Sequence, residues 1–216
     1  MEESLEKNIY LVRHGQSEAN ILPVFQTPDS PLNQLGTKQA KLIAERVSKI
    51  PFELLLVSPW PRAKDTAKEI TTLTGKRPEY SDLFVERIKP TDLNGKSHDD
   101  PEADNLWQQW KESLFATGLR VKDGENFDDL MKRADKALSF LKNRPEKTIM
   151  VVTHGFFLRT LIARAVLGKA LSPEVYENFQ NGTMTENTGI SALRYSATHE
   201  RTSWRLWVYN DSSHLG

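Results

Sequence analysis

The sequence predicts an α/β fold built on a parallel sheet, and three observations carry that expectation. Short runs rich in Ile, Leu and Val at residues 8–12, 52–57 and 148–152 are each followed by a polar turn and then by a helical pattern. Unbroken apolar runs of this length suit strands buried on both faces, the condition of a parallel sheet covered by helices. Two late runs, 189–195 and 204–209, alternate instead and are joined by a polar stretch, so they read as an antiparallel pair.

Each element follows in order. The run at 8–12 leads into Arg13-His14-Gly15. A helix is predicted over 35–50, with Leu35, Ala40, Leu42, Ile43 and Val47 on its apolar side and Pro51 as its stop. The second run leads into Ser58-Pro59. The helix after it, 60–73, carries Pro61 in its first turn, where a missing N–H costs nothing, and ends at Gly75. Residues 83–124 break the rhythm: they are polar, contain Pro90, Gly95 and Asp99-Asp100-Pro101, and hold one helix-like piece around Leu106, Trp107, Trp110 and Leu114. A long excursion inside a compact domain usually serves a site, most often as a lid. An amphipathic helix over 127–141 uses Leu130, Ala134, Ala137, Leu138 and Leu141 and is followed by Pro145. The third run leads into Thr153-His154-Gly155 and a helix over 156–167 that ends at Gly168.

Composition narrows the chemistry. The 216 residues carry 29 Lys+Arg against 29 Asp+Glu and no cysteine. A zero net charge offers no global field for a polyanion, which argues against nucleic acid or an acidic membrane surface as the main partner. Without cysteine there is no thiolate nucleophile, disulfide framework, Cys-ligated zinc or Fe–S cluster. The length suits a single domain over 1–216, including the lid-like excursion at about 83–124. No apolar stretch approaches the roughly 20 residues that span a bilayer, and the opening MEESLEKN is too acidic and polar for a secretory signal. A soluble, cytoplasmic chain is expected, with the sequons at Asn181 and Asn210 as chance matches.

If the three apolar runs are neighbouring parallel strands, Arg13, His14, Ser58, Arg62 and His154 all emerge just past strand carboxyl ends, where open α/β sheets place their sites. His14 and His154 are each followed at once by glycine and then by an expected helix. That sets each imidazole near backbone N–H groups and a positive helix end, an arrangement suited to an anion. A metal held by His14 and His154 lacks a third ligand at suitable spacing, and His98 beside Asp99 and Asp100 reads more simply as a solvated loop. His199 and His214 read as surface or terminal residues. Trp107 and Trp110 read as packing of the excursion with a substrate-facing role open, and Trp204 and Trp207 as core or rim.

These residues also carry a family resemblance. Leu11-Val12-Arg13-His14-Gly15-Gln16-Ser17-Glu18-Ala19-Asn20 resembles the RHG signature of the histidine phosphatase superfamily. Ser58-Pro59-Trp60-Pro61-Arg62-Ala63, continued by Thr66-Ala67, is similar to its S-x-x-x-R-A-x-x-T-A segment. Thr153-His154-Gly155 resembles its second histidine motif, Asn187-Thr188-Gly189-Ile190 its late strand entry, and residues 210–215 its ending. Four motifs in the family's order span nearly the whole chain.

The resemblance implies a three-layer α/β/α sandwich with a mostly parallel central sheet, phosphoglycerate-mutase-like, and a histidine-type phosphomonoesterase acting on a small phosphorylated substrate without cofactor or metal. It implies His14 as nucleophile, forming phosphohistidine. It implies Arg13, Arg62 and His154 as a cationic clamp on the phosphoryl oxygens, joined by Gly155, with Asn20 adding a hydrogen bond. A neutral imidazole is a competent nucleophile toward phosphorus. Glu86 is the expected proton donor, because Leu83-Phe84-Val85-Glu86-Arg87 resembles the segment that carries the acid; a carboxyl beside a bound phosphate keeps its proton through like-charge repulsion. The match weakens after it, where residues 88–95 replace a Gly-rich aromatic stretch, so Asp92 stands as a second candidate. Arg87, Lys89, Lys96 and the tryptophans of the excursion are candidates for holding the rest of the substrate. Two other functions stay open: phosphoglycerate-mutase-type transfer, against which the chain lacks any Arg-Arg pair, and a non-catalytic phospho-ligand binding module.

Overall fold

Register makes the three apolar runs into one buried centre. The computed structural model describes residues 6–25, 27–199 and 202–216, so the start of the opening read above as no secretory signal lies outside the described residues. Strands β1 (Glu6–Arg13), β2 (Leu54–Val57), β3 (Pro78–Tyr80), β4 (Thr148–Thr153), β5 (Ile190–Ser196) and β6 (Trp204–Asp211) form one sheet in the order β3-β2-β4-β1-β5-β6. The first four positions run parallel, and β5 and β6 add antiparallel at one edge.

Alternate residues of the central strands serve opposite faces. Ile9, Ile149 and Leu54 stand in register, as do Leu11, Val151 and Leu56. They pack against helices α4 (Phe127–Asn143) and α5 (Gly155–Leu167) in one core that also takes Tyr176 of α6 (Pro173–Gly182). Val12, Val152 and Val57 face the other way, onto α1 (Gln34–Val47) and α2 (Pro61–Thr74). Both faces are covered, which is why these strands read as continuous apolar runs. The three-layer sandwich expected from the sequence is the observed architecture.

Local signals set most helix ends. Asn33 caps α1 by accepting from the Gly36 N–H at 2.8 Å, and Gly75, at φ +70°, closes α2. One expectation fails on α1: Leu35 and Leu42 are 49% and 39% exposed. The buried stripe is Gly36, Ala40, Ile43, Ala44 and Val47, a 3.6-residue repeat that leaves both leucines at its flanks. The edge strand β3 and helix α6 have no counterpart in the sequence reading, although Ser172 and Pro173 are an N-cap and first-turn proline in plain sight.

The excursion is stitched down rather than loose. Helix α3 (Pro101–Glu112) packs through Ala103, Leu106 and Trp107 on Phe25 and Leu93. The segment 95–98 and the chain at 23–25 exchange backbone hydrogen bonds, including Phe25 N–H to Lys96 O at 2.9 Å and His98 N–H to Pro23 O at 3.0 Å. Trp207 is 60% exposed under the Arg194 guanidinium, so of the two late tryptophans only Trp204 packs on the core. Among the described residues, no helix is long and apolar enough to cross a membrane.

Candidate active site

The site forms where β1 and β4, neighbours in the sheet, send their chains to opposite faces. After β1 the chain proceeds to α1 on one side; after β4 it enters α5 on the other. Such a switch leaves a crevice at the strand carboxyl ends. His14 and His154 emerge there with ring centroids 4.9 Å apart, both buried.

The protons of His14 are constrained. Its Nδ1 lies 2.6 Å from the Gly15 carbonyl, an acceptor only, so Nδ1 carries the hydrogen. Nε2 therefore presents a lone pair, and the Arg62 Nε–H donates to it at 3.1 Å. Burial, then the Arg62 and Arg13 charges, push the imidazole well below its usual value of 6.5, so it is neutral near pH 7. Burial and the Arg62 charge do the same to His154, whose Nε2 is 2.7 Å from Ser58 Oγ and whose buried Nδ1 has no partner. The expected cationic clamp thus holds its charge on two guanidiniums, with His154 neutral in the free protein.

The guanidiniums are held by backbone carbonyls. Arg62 donates to Pro28 O at 3.2 Å and stacks over Trp60 at 4.7 Å; Arg13 donates to Thr185 O at 2.5 Å, and its buried Nε has no partner among the described residues. Burial lowers Arg62 to about 10 and Arg13 in the same direction, so both stay charged. Among the described residues neither closes a salt bridge, which leaves concentrated positive charge for an anion. Gly155 lets Arg13 lie close: a Cβ there would sit 3.0 Å from Arg13 Nε.

Two sequence expectations change. No helix starts directly after His14; a short 3₁₀ turn at Glu18–Asn20 follows, and α1 begins only at Gln34. The N-terminus of α5 is also not left for phosphate. Glu86 occupies it, accepting from the N–H groups of Phe156 at 3.2 Å and Phe157 at 2.9 Å, so its carboxyl group caps the helix that His154 begins. Glu86 still borders the site.

A cavity of about 620 Å³ opens over Arg62 and Glu86. Asn20 lines it, its amide oxygen accepting from the Ser17 N–H and hydroxyl at 2.9 Å each. Phe25, Trp60, Trp107 and Trp110 give it aromatic walls, and Lys89 lies on it, lowered to about 8 by burial and by Arg62. Asp92 is elsewhere, exposed and bonded to Lys122 at 2.7 Å, as is Lys96, which faces Asp100 at 3.8 Å. Arg87 lines the cavity, but its guanidinium is engaged in the fold: it stacks on Trp110 at 3.5 Å and donates to Trp110 O, Ser113 Oγ and Glu125 O. His98 packs against Phe25 at 4.5 Å, and Asp100 caps α3, so that cluster has packing and capping duties.

The histidine phosphatase superfamily (branch 1) model matches residues 9–211, with His14, Arg62 and His154 inside the match. The chain belongs to this superfamily. Membership places it by class among enzymes that act on phosphoric esters. A probable phosphoglycerate mutase GpmB of Photorhabdus laumondii is 29% identical over 216 residues, 96% of this chain and 94% of the relative. An uncharacterized phosphatase PhoE of Bacillus subtilis is 27% identical over 214 residues, 96% of each chain. A solved structure, a putative alpha-ribazole-5'-P phosphatase from Escherichia coli, superposes with a TM-score of 0.79 at 22% identity, covering 95% of this chain and 96% of that one. At that identity the likeness establishes the fold.

Sequence reasoning missed several residues that complete this candidate site. Val24 and Phe25 wall the cavity from a loop with no motif, and Thr185 holds Arg13 through a backbone carbonyl that any residue supplies. Thr66, noted only as part of a motif, accepts from the Gly15 N–H at 3.0 Å and donates to Arg62 O at 2.8 Å, tying the two charged segments together.

Proposed function

We propose that this chain hydrolyses a small phosphomonoester through a phosphohistidine on His14, without a cofactor. The observation that carries the proposal is the His14 tautomer: Nδ1–H is committed to the Gly15 carbonyl, which leaves the Nε2 lone pair to accept from Arg62, and it is Arg62, not His14 itself, that lines the cavity. In the first step Nε2 attacks phosphorus as the ester P–O bond breaks, and Glu86 gives the leaving alkoxide its proton. In the second, water attacks the phosphohistidine, Glu86 takes the water proton, and the P–N bond breaks to release phosphate. Arg13 and Arg62 balance the charge spread over the equatorial oxygens, and His154, Asn20 and Gly155 complete the cradle. The rest of the ester lies against Phe25, Trp107 and Trp110.

His14→Ala is expected to abolish turnover of p-nitrophenyl phosphate and the acid-labile, base-stable phosphoenzyme of a rapid quench. Glu86→Gln is expected to cost about 10²–10⁴-fold with alkyl phosphates, which need leaving-group protonation, and less with p-nitrophenyl phosphate. Wild-type activity in His14→Ala would overturn the mechanism. Interconversion of phosphoglycerates faster than phosphate release would replace hydrolysis with mutase-type transfer, and tight vanadate binding without turnover would indicate a binding module.

A further inference from the structure

Thr188 is a β-branched residue held at φ +63°, a region such side chains rarely occupy, directly behind the Arg13–His14 pair. Its N–H donates to Arg13 O at 2.9 Å, and the neighbouring Asn187 side chain donates to His14 O at 2.9 Å. Together with Thr185 O on the Arg13 guanidinium, the loop before β5 thus grips both residues at three points. The loop is gripped in turn by the end of the chain. Tyr209 OH donates to Met184 O at 2.7 Å, Asn210 Oδ1 accepts from the Glu186 N–H at 2.8 Å, and His214 Nε2 lies 3.1 Å from Thr188 Oγ1.

The directions of these bonds can be assigned. Thr188 Oγ1–H donates to Asn187 O at 2.6 Å, so the hydroxyl oxygen must accept from His214, and His214 carries its hydrogen on Nε2. Hydrogen bonds then run from the His214 imidazole through the Thr188 hydroxyl to the Asn187 backbone carbonyl, and the side-chain amide of that same residue donates to the His14 carbonyl. Backbone strain is tolerated where surrounding contacts over-determine it, and it collects at functional sites.

We propose that His214 is a positioning residue for the phosphoryl site: it locks Thr188 in its strained conformation and through it fixes Arg13 and His14. The proposal rests on the use of Arg13 and His14 at the phosphoryl group set out above. Sequence reading placed His214 among surface or terminal residues; the fold returns it to the back of the site. The C-terminal segment is itself anchored there, Asp211 meeting Arg46 of α1 at 3.0 Å.

The test uses the full chain, with kcat/KM on p-nitrophenyl phosphate and the inhibition constant of vanadate as readouts. His214→Ala is expected to lower kcat/KM about tenfold to a hundredfold, mainly in kcat, and to weaken vanadate by a similar factor. Thr188→Val, which keeps the shape and removes the hydroxyl, is expected to do the same. The double variant is expected to be no worse than either single one, because both break one chain. His214→Gln, which retains an N–H donor, is expected to recover at least half of the logarithmic loss. Losses that multiply in the double variant, a glutamine variant as poor as alanine, or an alanine variant within twofold of wild type would each overturn the proposal. Should wild type itself fail to turn over, the phosphatase reading falls instead, and vanadate affinity across the same variants still decides the positioning role.

Discussion

At the scale of single residues, the site depends on two imidazoles kept neutral by burial beside two guanidiniums. If His14 is the nucleophile, as proposed, its Nε2 must be unprotonated to attack, and the acid limb of kcat/KM is expected below pH 6.5. A limb at pH 7 or above that follows the titration of His14 by NMR would contradict this. Stability should share the same window. As pH falls through 6.5 the imidazoles of the unfolded chain take up protons, while His14 and His154 in the folded chain, with their lowered values, do not. The unfolded state then binds more protons, so stability falls as pH drops from 6.5 toward those lowered values, and is regained as pH rises back through the window. Melting temperature against pH should slope there, less steeply in His154→Gln; an unchanged slope would assign the effect to other groups.

At the scale of elements, α1 and the strand-to-loop turn after β1 meet backbone to backbone. A Cβ on Gly36 would lie 1.9 Å from Gln16 O, and one on Gly15 would lie 2.5 Å from Gly36 O. Both glycines are therefore required by close approach, and both have ordinary negative φ. Gly36→Ala is expected to destabilise the protein by about 1–3 kcal/mol in urea unfolding, and to lower activity by displacing the His14 turn. Stability within about 0.5 kcal/mol of wild type would mean that α1 moves aside freely. The Gly15 of the motif was visible in the sequence, but its partner Gly36, 21 positions on, was not. The boundaries of α2 were easier to read, since Pro61 and Gly75 act on their own neighbours, whereas the Asn33 cap of α1 went unread and the exposed Leu35 and Leu42 mimicked a buried stripe.

At the scale of the whole molecule, the sheet positions the phosphoryl chemistry and the excursion shapes what surrounds it. Trp107 packs with Phe25 at 5.0 Å and with Trp110 at 5.0 Å, and all three line the cavity. Trp107→Ala is expected to raise KM about tenfold for aryl or other bulky phosphomonoesters, since a lost aromatic contact is worth roughly 1 kcal/mol or more. With methyl phosphate the change should stay within twofold; equal losses on both would assign Trp107 to folding of the excursion alone. The parallel centre, the strand ends and the placing of Arg13, His14, Arg62 and His154 just beyond them were legible in the sequence, because period, punctuation and motif are local properties. Only the tertiary structure decided that Glu86 caps α5, that Arg87 is spent on Trp110, and that His214 stands behind Thr188. Those facts depend on which distant segments the sheet order brings together, and contacts between residues 23 to 71 positions apart leave no periodic trace in the chain.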